Sequence, residues 1–303
     1  MTRLARFNGV WVPLITPIKN KNIDLKSLTR LLEWILDYPV QGVIVGGCCA
    51  ERLLLTDHEV ERLVSTTLSV VGQRCKVITS IGSQSTAKAI ESIRFHAQQP
   101  VDGLMVSVPS FYTQPNESEL LGHFEALCQA SPLPLIIDND AQRRGFGLDL
   151  AQLNLLSEST RQSSNQFRTL RAVRHTLRDG EDWATLLANS PLDVLCGDDS
   201  QLPSFLQQGG QAIASAAAQL APGLVCRMHS QEGKLSNPDR MLFDRCLHML
   251  GGDSVIGALK YHLSELGLVS NELRMPLQPL SHNEAWTSAI APPAEPKIQA
   301  EAR

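Results

Sequence analysis

A closed (β/α)8 barrel followed by a helical extension is the fold this sequence predicts, on three observations. Eight short apolar runs bounded by turn residues recur along the first 218 residues, amphipathic segments separate them, and no GxGxxG follows the first run. Continuous apolar strands with helices between them imply a parallel sheet buried on both faces. Eight such units within about 220 residues fit closure into a barrel better than an open doubly wound sheet.

The runs are VPLITP at 12–17, GVIVGG at 42–47, KVITSIG at 76–82 and GLMVSVP at 103–109, then PLIIDN at 134–139, FRTLRAV at 167–173, DVLCGDD at 193–199 and AIASAAA at 212–218. Segments such as LKSLTRLLEWILD and SELLGHFEALCQ carry the helical period between them. After residue 222 the rhythm changes to helices alone, through MLFDRCLHMLGG and GALKYHLSELGL, and stops at LRMPLQPLS. The expected organisation is a barrel over 1–221, a helical extension over 222–282 and a tail over 283–303, whose small polar and proline-rich composition is too poor in core residues to order itself.

Composition narrows the function classes. The 303 residues are 43% hydrophobic and 19% charged, without an apolar run near the roughly 20 residues that a bilayer-spanning helix needs. A net charge of -4 supplies no basic field for a polyanion, so neither nucleic acid nor membrane is an expected partner. Cysteines 48, 49, 75, 128, 196, 226 and 246 are odd in number and contain no CxxC. With MTRLARFNGVW lacking the apolar segment of a secretory signal, they point to a reducing cytoplasm.

In such a barrel, chemistry belongs at the C-terminal ends of the strands. The second run ends in Gly46-Gly47-Cys48-Cys49-Ala50-Glu51, the fourth in Pro109-Ser110-Phe111-Tyr112, the fifth in Asp138-Asn139-Asp140 with Arg143 beyond, and the seventh in Gly197-Asp198-Asp199. Together with FNGVWVPLITP, PSFYTQPNESELLGHF, GDDSQLPSFLQQGGQAIASAAAQLAP and LKYHLSELGLVSNELRMPLQPL, these stretches make residues 5–282 resemble the dihydrodipicolinate synthase and N-acetylneuraminate lyase family of class I aldolases. The resemblance implies a dimeric or tetrameric barrel, a lysine on the sixth strand that forms a Schiff base with pyruvate, and a relay tyrosine on the fifth. It also implies two threonines after the second strand that grip the carboxylate, a role in lysine biosynthesis, and no cofactor.

Carried over residue by residue, the resemblance puts Arg171 at the nucleophile position, Asp138 at the relay tyrosine and Cys48 and Cys49 at the threonine pair. Gly47, Glu51, Asn139 and Arg143 match the family, and Tyr112, or Phe111 beside it, corresponds to its loop tyrosine. A guanidinium has no free amine to attack a ketone. The lysines are 19, 21, 26, 76, 88, 234, 260 and 297, so none lies between 88 and 234, and Lys260 belongs to a helix motif the family shares. Lys88, Leu53 and Asp57 replace residues of the family's lysine-sensing pocket, so feedback inhibition by lysine is not expected.

Asp138 and Arg171 are expected to end neighbouring strands, either as a structural ion pair across the barrel mouth or as a ligand-facing pair. Arg168, Arg171, Arg174 and Arg178, with Arg143 and Arg144, form either a solvated face or an anion-binding rim. Cys48 and Cys49 are either buried and inert or a reactive pair. Asp198 and Asp199 are framework residues, and His96, His123 and His175 lack metal-ligand spacing, so no metal is expected.

Three functions follow, in this order. The first is a synthase-like barrel that has lost imine chemistry and binds a small carboxylate or pairs with an active paralogous subunit. The second is an enzyme of altered mechanism that uses Asp138 or a cysteine on a related carbonyl compound. The third is an authentic 4-hydroxy-tetrahydrodipicolinate synthase or pyruvate-dependent lyase.

Overall fold

The computed structural model describes residues 7–82, 85–109, 115–140, 147–163, 169–251 and 254–280, apart from the side chains of Cys48 and of residues 161–163. Its barrel strands are β1 (Gly9–Pro13), β4 (Gly42–Val45), β5 (Lys76–Ile81), β6 (Gly103–Ser107), β7 (Leu135–Asn139), β8 (Leu170–His175), β9 (Asp193–Cys196) and β10 (Ala212–Ala214). They close in the order β1-β10-β9-β8-β7-β6-β5-β4, and the pairings that fix their register are parallel. The chain is a (β/α)8 barrel.

Helices α1 (Leu25–Leu36), α2 (Asp57–Val71), α3 (Thr86–His96), α4 (Glu117–Ala130), α5 (Leu150–Ser163), α6 (Trp183–Asn189) and α7 (Leu202–Gln207) alternate with the strands. Their starts are written in the sequence. Asp24 caps α1, and Thr56 with Glu59 and Asn116 with Glu119 form capping boxes on α2 and α4, each satisfying amide groups that have no partner within the helix. After β10 come α8 (Pro222–Ser230), which completes the eight strand–helix units, and then α9 (Asn237–Leu250) and α10 (Val255–Glu265). The expected tail over 283–303 lies outside the described residues.

Two boundaries differ from the apolar pattern. The first strand is Gly9–Pro13 rather than 12–17, since the stretch from Leu14 is buried yet has left the strand. The sixth is Leu170–His175 rather than 167–173, a shift with consequences for the site. A small hairpin, β2 (Ile18–Lys19) and β3 (Asn22–Ile23), was not legible as an apolar run; Asn20 and Lys21 turn it with φ of 51° and 64°, the two positive values a two-residue primed turn requires.

By internal contacts the chain divides into two compact units, one of residues 1–9 with 77–214 and one of 10–76 with 215–303. In the first, Trp183 of α6 packs edge-on against Phe205 of α7 with ring centroids 4.7 Å apart. In the second, the fully buried Gln219 ties the end of β1 to the turn after β10: its Oε1 accepts from the Ile15 amide at 2.9 Å and its Nε2 donates to the Pro13 carbonyl at 2.8 Å. Among the described residues no helix is long and apolar enough to cross a membrane.

Gly42 lies opposite Trp11 in the parallel ladder, and a Cβ there would lie 2.5 Å from the indole ring and 2.7 Å from the Lys76 carbonyl oxygen. A backbone oxygen and a buried indole cannot both retreat. Gly42→Ala is therefore expected to destabilise the protein by about 1–3 kcal/mol through overpacking, read as a lower urea midpoint at unchanged m-value.

Candidate functional site at the ends of the barrel strands

The register of β7 against β8 sets Asp138 beside Arg174 and Asn139 beside His175. Successive side chains on a strand point to opposite faces, so Asp138 and Arg174 share one face while Asn139 and His175 share the other. Trp183 packs edge-on against His175 with ring centroids 6.1 Å apart, which identifies the His175 face as the helix-facing one and leaves Arg174 on the inner face.

On that inner face Arg174 Nη1 donates to Asp138 Oδ1 at 2.7 Å and to Asp140 Oδ2 at 3.0 Å, and Nη2 donates to the Gly197 carbonyl at 2.6 Å. The three charged side chains are 3–6% exposed. A Cβ at 197 would lie 2.6 Å from the guanidinium carbon, so a side chain there would displace Arg174 from this arrangement. The seventh strand end thus supplies both an acceptor and the room for the arginine.

Arg171, which the sequence pairs with Asp138, is elsewhere. The ladder reads Leu135 with Leu170 and then Ile136 with Ala172, so Arg171 is the extra residue of a bulge near the start of β8. It is half-buried, and at about 3.3 Å per residue it falls roughly 10 Å short of Arg174 along the strand. The sequence pattern failed here because an inserted residue leaves no mark on an apolar run. Asp138 does enter an ion pair, and a partner among the described residues is Arg174, which the sequence had grouped only with a basic rim. Within that group Arg174 and Arg178 are committed to carboxylates on different faces, while Arg143, Arg144 and Arg168 lie outside the described residues, as do Phe111 and Tyr112.

The helix-facing side carries a second network that sequence reasoning missed. His175 is 1% exposed; its Nε2 is 2.9 Å from Glu181 Oε2 and its Nδ1 is 2.9 Å from Asn139 Nδ2. Arg178 Nε donates to Glu181 at 2.9 Å and Arg178 Nη1 to the Gly147 carbonyl at 3.2 Å. Burial alone would raise the Glu181 carboxyl, but the Arg178 guanidinium and amide, with His175, hold it down at about 2. The signal available in sequence was the short spacing of His175, Arg178 and Glu181, which fits one turn after a strand.

In the other unit, Gly46 at φ 69° and Gly47 lead from β4 into a 3-10 turn at Cys48–Ala50, in which Cys49 is buried. Glu51 follows in the left-handed region, with φ 55° and ψ 34°. That strained residue is over-determined by its contacts. Its carboxylate meets the fully buried Lys260 of α10 and accepts from the Arg274 amide at 3.0 Å, Lys260 also donates to the Glu272 carbonyl at 2.7 Å, and Thr16 holds the Ala50 carbonyl at 2.7 Å. Burial pulls the Lys260 ammonium down while Glu51 opposes it, and the Arg274 guanidinium holds Glu59 at about 2. Among the described residues no group of three or more His, Cys, Asp or Glu side chains could hold a metal ion.

Removing one member of a buried charge pair strands the other. Lys260→Met is expected to cost about 3–5 kcal/mol in urea unfolding, with the double variant that adds Glu51→Gln recovering a substantial part. Recovery of none of the loss would mean that packing of the lysine stem, and not the ion pair, carries its contribution.

Known proteins resemble the chain over most of its length. It is 30% identical over 292 residues to 4-hydroxy-tetrahydrodipicolinate synthase of Gluconacetobacter diazotrophicus, covering 91% of this chain and 93% of the relative. It is 28% identical over 284 residues to the enzyme of the same name from Staphylococcus haemolyticus, covering 92% and 94%. Among solved structures, the 4-hydroxy-tetrahydrodipicolinate synthase of Methylacidiphilum fumariolicum SolV superposes with a TM-score of 0.80 at 26% identity, covering 92% of each chain. The dihydrodipicolinate synthase of Thermotoga maritima gives 0.81 at 24% identity over 93% of this chain and 96% of its own, a likeness of fold. A sequence model of the dihydrodipicolinate synthetase family matches residues 6–289, and the chain belongs to that family.

Proposed function

We propose that this chain takes a small 2-keto acid or a related carboxylate at the C-terminal ends of its barrel strands, and that it does so without a covalent imine at the end of β8. One observation carries this reading. The residue on the inner face at that strand end is Arg174, whose guanidinium is bonded to Asp138, Asp140 and the Gly197 carbonyl. Imine formation needs an amine that can lose a proton, attack the ketone and expel water, and a delocalised guanidinium between two carboxylates cannot do so. In this reading Arg174, and not Arg171, stands where the family resemblance calls for the nucleophile, and Asp138 stands for the relay tyrosine.

A second reading is favoured by kinship. The relatives at 28–30% identity are named as 4-hydroxy-tetrahydrodipicolinate synthases, which supports an authentic synthase better than it supports a lost reaction, the reverse of the order drawn from the sequence alone. Under that reading an amine other than one at the end of β8 forms the imine. The altered-mechanism reading, which uses Asp138 or a cysteine, has less support, because the Asp138 carboxylate is engaged by Arg174 at 2.7 Å and Cys49 is buried, while the Cys48 side chain lies outside the described residues. Assembly as a homodimer or homotetramer and a cytoplasmic address belong to the proposal on the same kinship.

Sodium borohydride reduction in the presence of pyruvate separates the two leading readings. Hydride converts a protein–pyruvate imine to a stable secondary amine, so intact-mass spectrometry reads its formation directly. We expect no added mass, together with a pyruvate-dependent rise in thermal midpoint that reports non-covalent binding. An adduct mapped to any lysine establishes the synthase reading and ends the first. Neither an adduct nor a thermal shift would remove keto acids from the ligand class.

A further inference from the structure

The helix-facing network closes on itself in a way that fixes a protonation state. The Leu148 amide donates to Asn139 Oδ1 at 2.7 Å, and Asn139 Nδ2 donates to the Leu148 carbonyl at 2.8 Å. A backbone amide cannot accept and a backbone carbonyl cannot donate, so the Asn139 carboxamide has one permissible orientation. Its NH2 group therefore faces His175 Nδ1 at 2.9 Å, and Nδ1 must be the acceptor. The single proton of the neutral imidazole is left on Nε2, where Glu181 accepts it at 2.9 Å. Arg178 then links Glu181 back to the Gly147 carbonyl. Asn139, His175, Glu181, Arg178, Gly147 and Leu148 form a closed ring that seats the backbone ahead of α5 on the ends of β7 and β8.

We propose that His175, as the neutral imidazole protonated on Nε2, is an acid-sensitive latch that holds Gly147 and Leu148 against the ends of the fifth and sixth barrel strands. A second ring proton would place an N–H on Nδ1 directly against the Asn139 NH2. Two donors cannot share that contact, and Asn139 cannot turn over without breaking both of its bonds to Leu148. Protonation thus acts through Asn139 on the backbone beyond it, which makes His175 a positioning residue. The inference is independent of whether an imine forms.

The charges around the ring agree in direction. Among the described residues, His175 faces Glu181 and Arg178 from the connection into α6 and is paired in the ladder with the buried Cys196 of β9, while the Arg174 charge acts on it from the opposite face of its own strand. Burial lowers the proton affinity of the imidazole, Glu181 opposes this through its hydrogen bond and charge, and Arg178 and Arg174 add to the lowering. A histidine whose folded-state affinity is depressed contributes stability above the ordinary imidazole range. That contribution is lost as the pH falls below about 6.5 and through the lowered folded value.

Hydrogen exchange of the full chain tests the latch. Corrected for intrinsic rates, exchange in peptides spanning 147–150 is expected to rise up to roughly tenfold between about pH 7.5 and about pH 5, the loss of about one hydrogen bond, while peptides from α1 and α2 stay constant. His175→Asn places a carboxamide oxygen where Nδ1 stood and is expected to abolish the pH dependence. Glu181→Gln removes the charge that favours the imidazolium, so it should move the midpoint to lower pH, which keeps the test alive if the first variant misfolds. Long-range 15N–1H correlation of histidine-labelled protein at neutral pH reads the tautomer. A proton on Nδ1, or exchange at 147–150 that does not respond to acid, overturns the proposal.

Discussion

The alignment of β7 with β8 is the constraint on which the rest of this barrel end depends. Once Asp138 is opposite Arg174, the pleat sends those two side chains to the inner face and Asn139 and His175 to the helices. Two networks with no shared side chain then grow from neighbouring residues of the same two strands. A single-residue slip would exchange them, burying an imidazole against Gly197 and turning a guanidinium toward Trp183. The bulge at Arg171 is what sets this register, because it absorbs one residue before the strands reach the mouth of the barrel.

Buried charge is handled in the same manner in both compact units. Arg174 is surrounded by Asp138, Asp140 and a carbonyl, and Lys260 by Glu51 and a carbonyl. In each case desolvation would be prohibitive for the isolated ion, and the cation has both an opposite charge and a backbone oxygen to donate to. Such clusters add little net stability over a packed apolar core, but each is costly to break, so they hold geometry. The Lys260 cluster keeps Glu51 in a left-handed conformation at the end of the second barrel strand. The Arg174 cluster closes the ends of the fifth, sixth and seventh.

That distinction bears on the chemistry. An ε-amine in a barrel mouth is useful only when it can be deprotonated and reach a carbonyl carbon. Burial lowers the proton affinity of Lys260 while its pairing with Glu51 opposes this and keeps its nitrogen engaged inside the protein, and Arg174 is never a free amine. The family framework is therefore intact while the charged groups at two strand ends are engaged with partners inside the protein. Kinship is weighted by the whole framework, whereas imine chemistry depends on one atom.

The amino-acid order alone determined the architecture, since eight apolar runs, the amphipathic segments between them and the family motifs all report local preference or long stretches of pattern. It also determined that Asp138 would need a cation and that no lysine occurs from the fourth strand to the eighth. Tertiary structure alone decided which arginine answers Asp138, that Asp140 and Gly197 join it, and that His175, Glu181 and Arg178 close a ring with Asn139. The reason is physical: hydrophobic periodicity encodes which residues are buried, but a bulge shifts the register without altering that pattern. The partners of a buried charge are set by the register of neighbouring strands and not by distance along the chain.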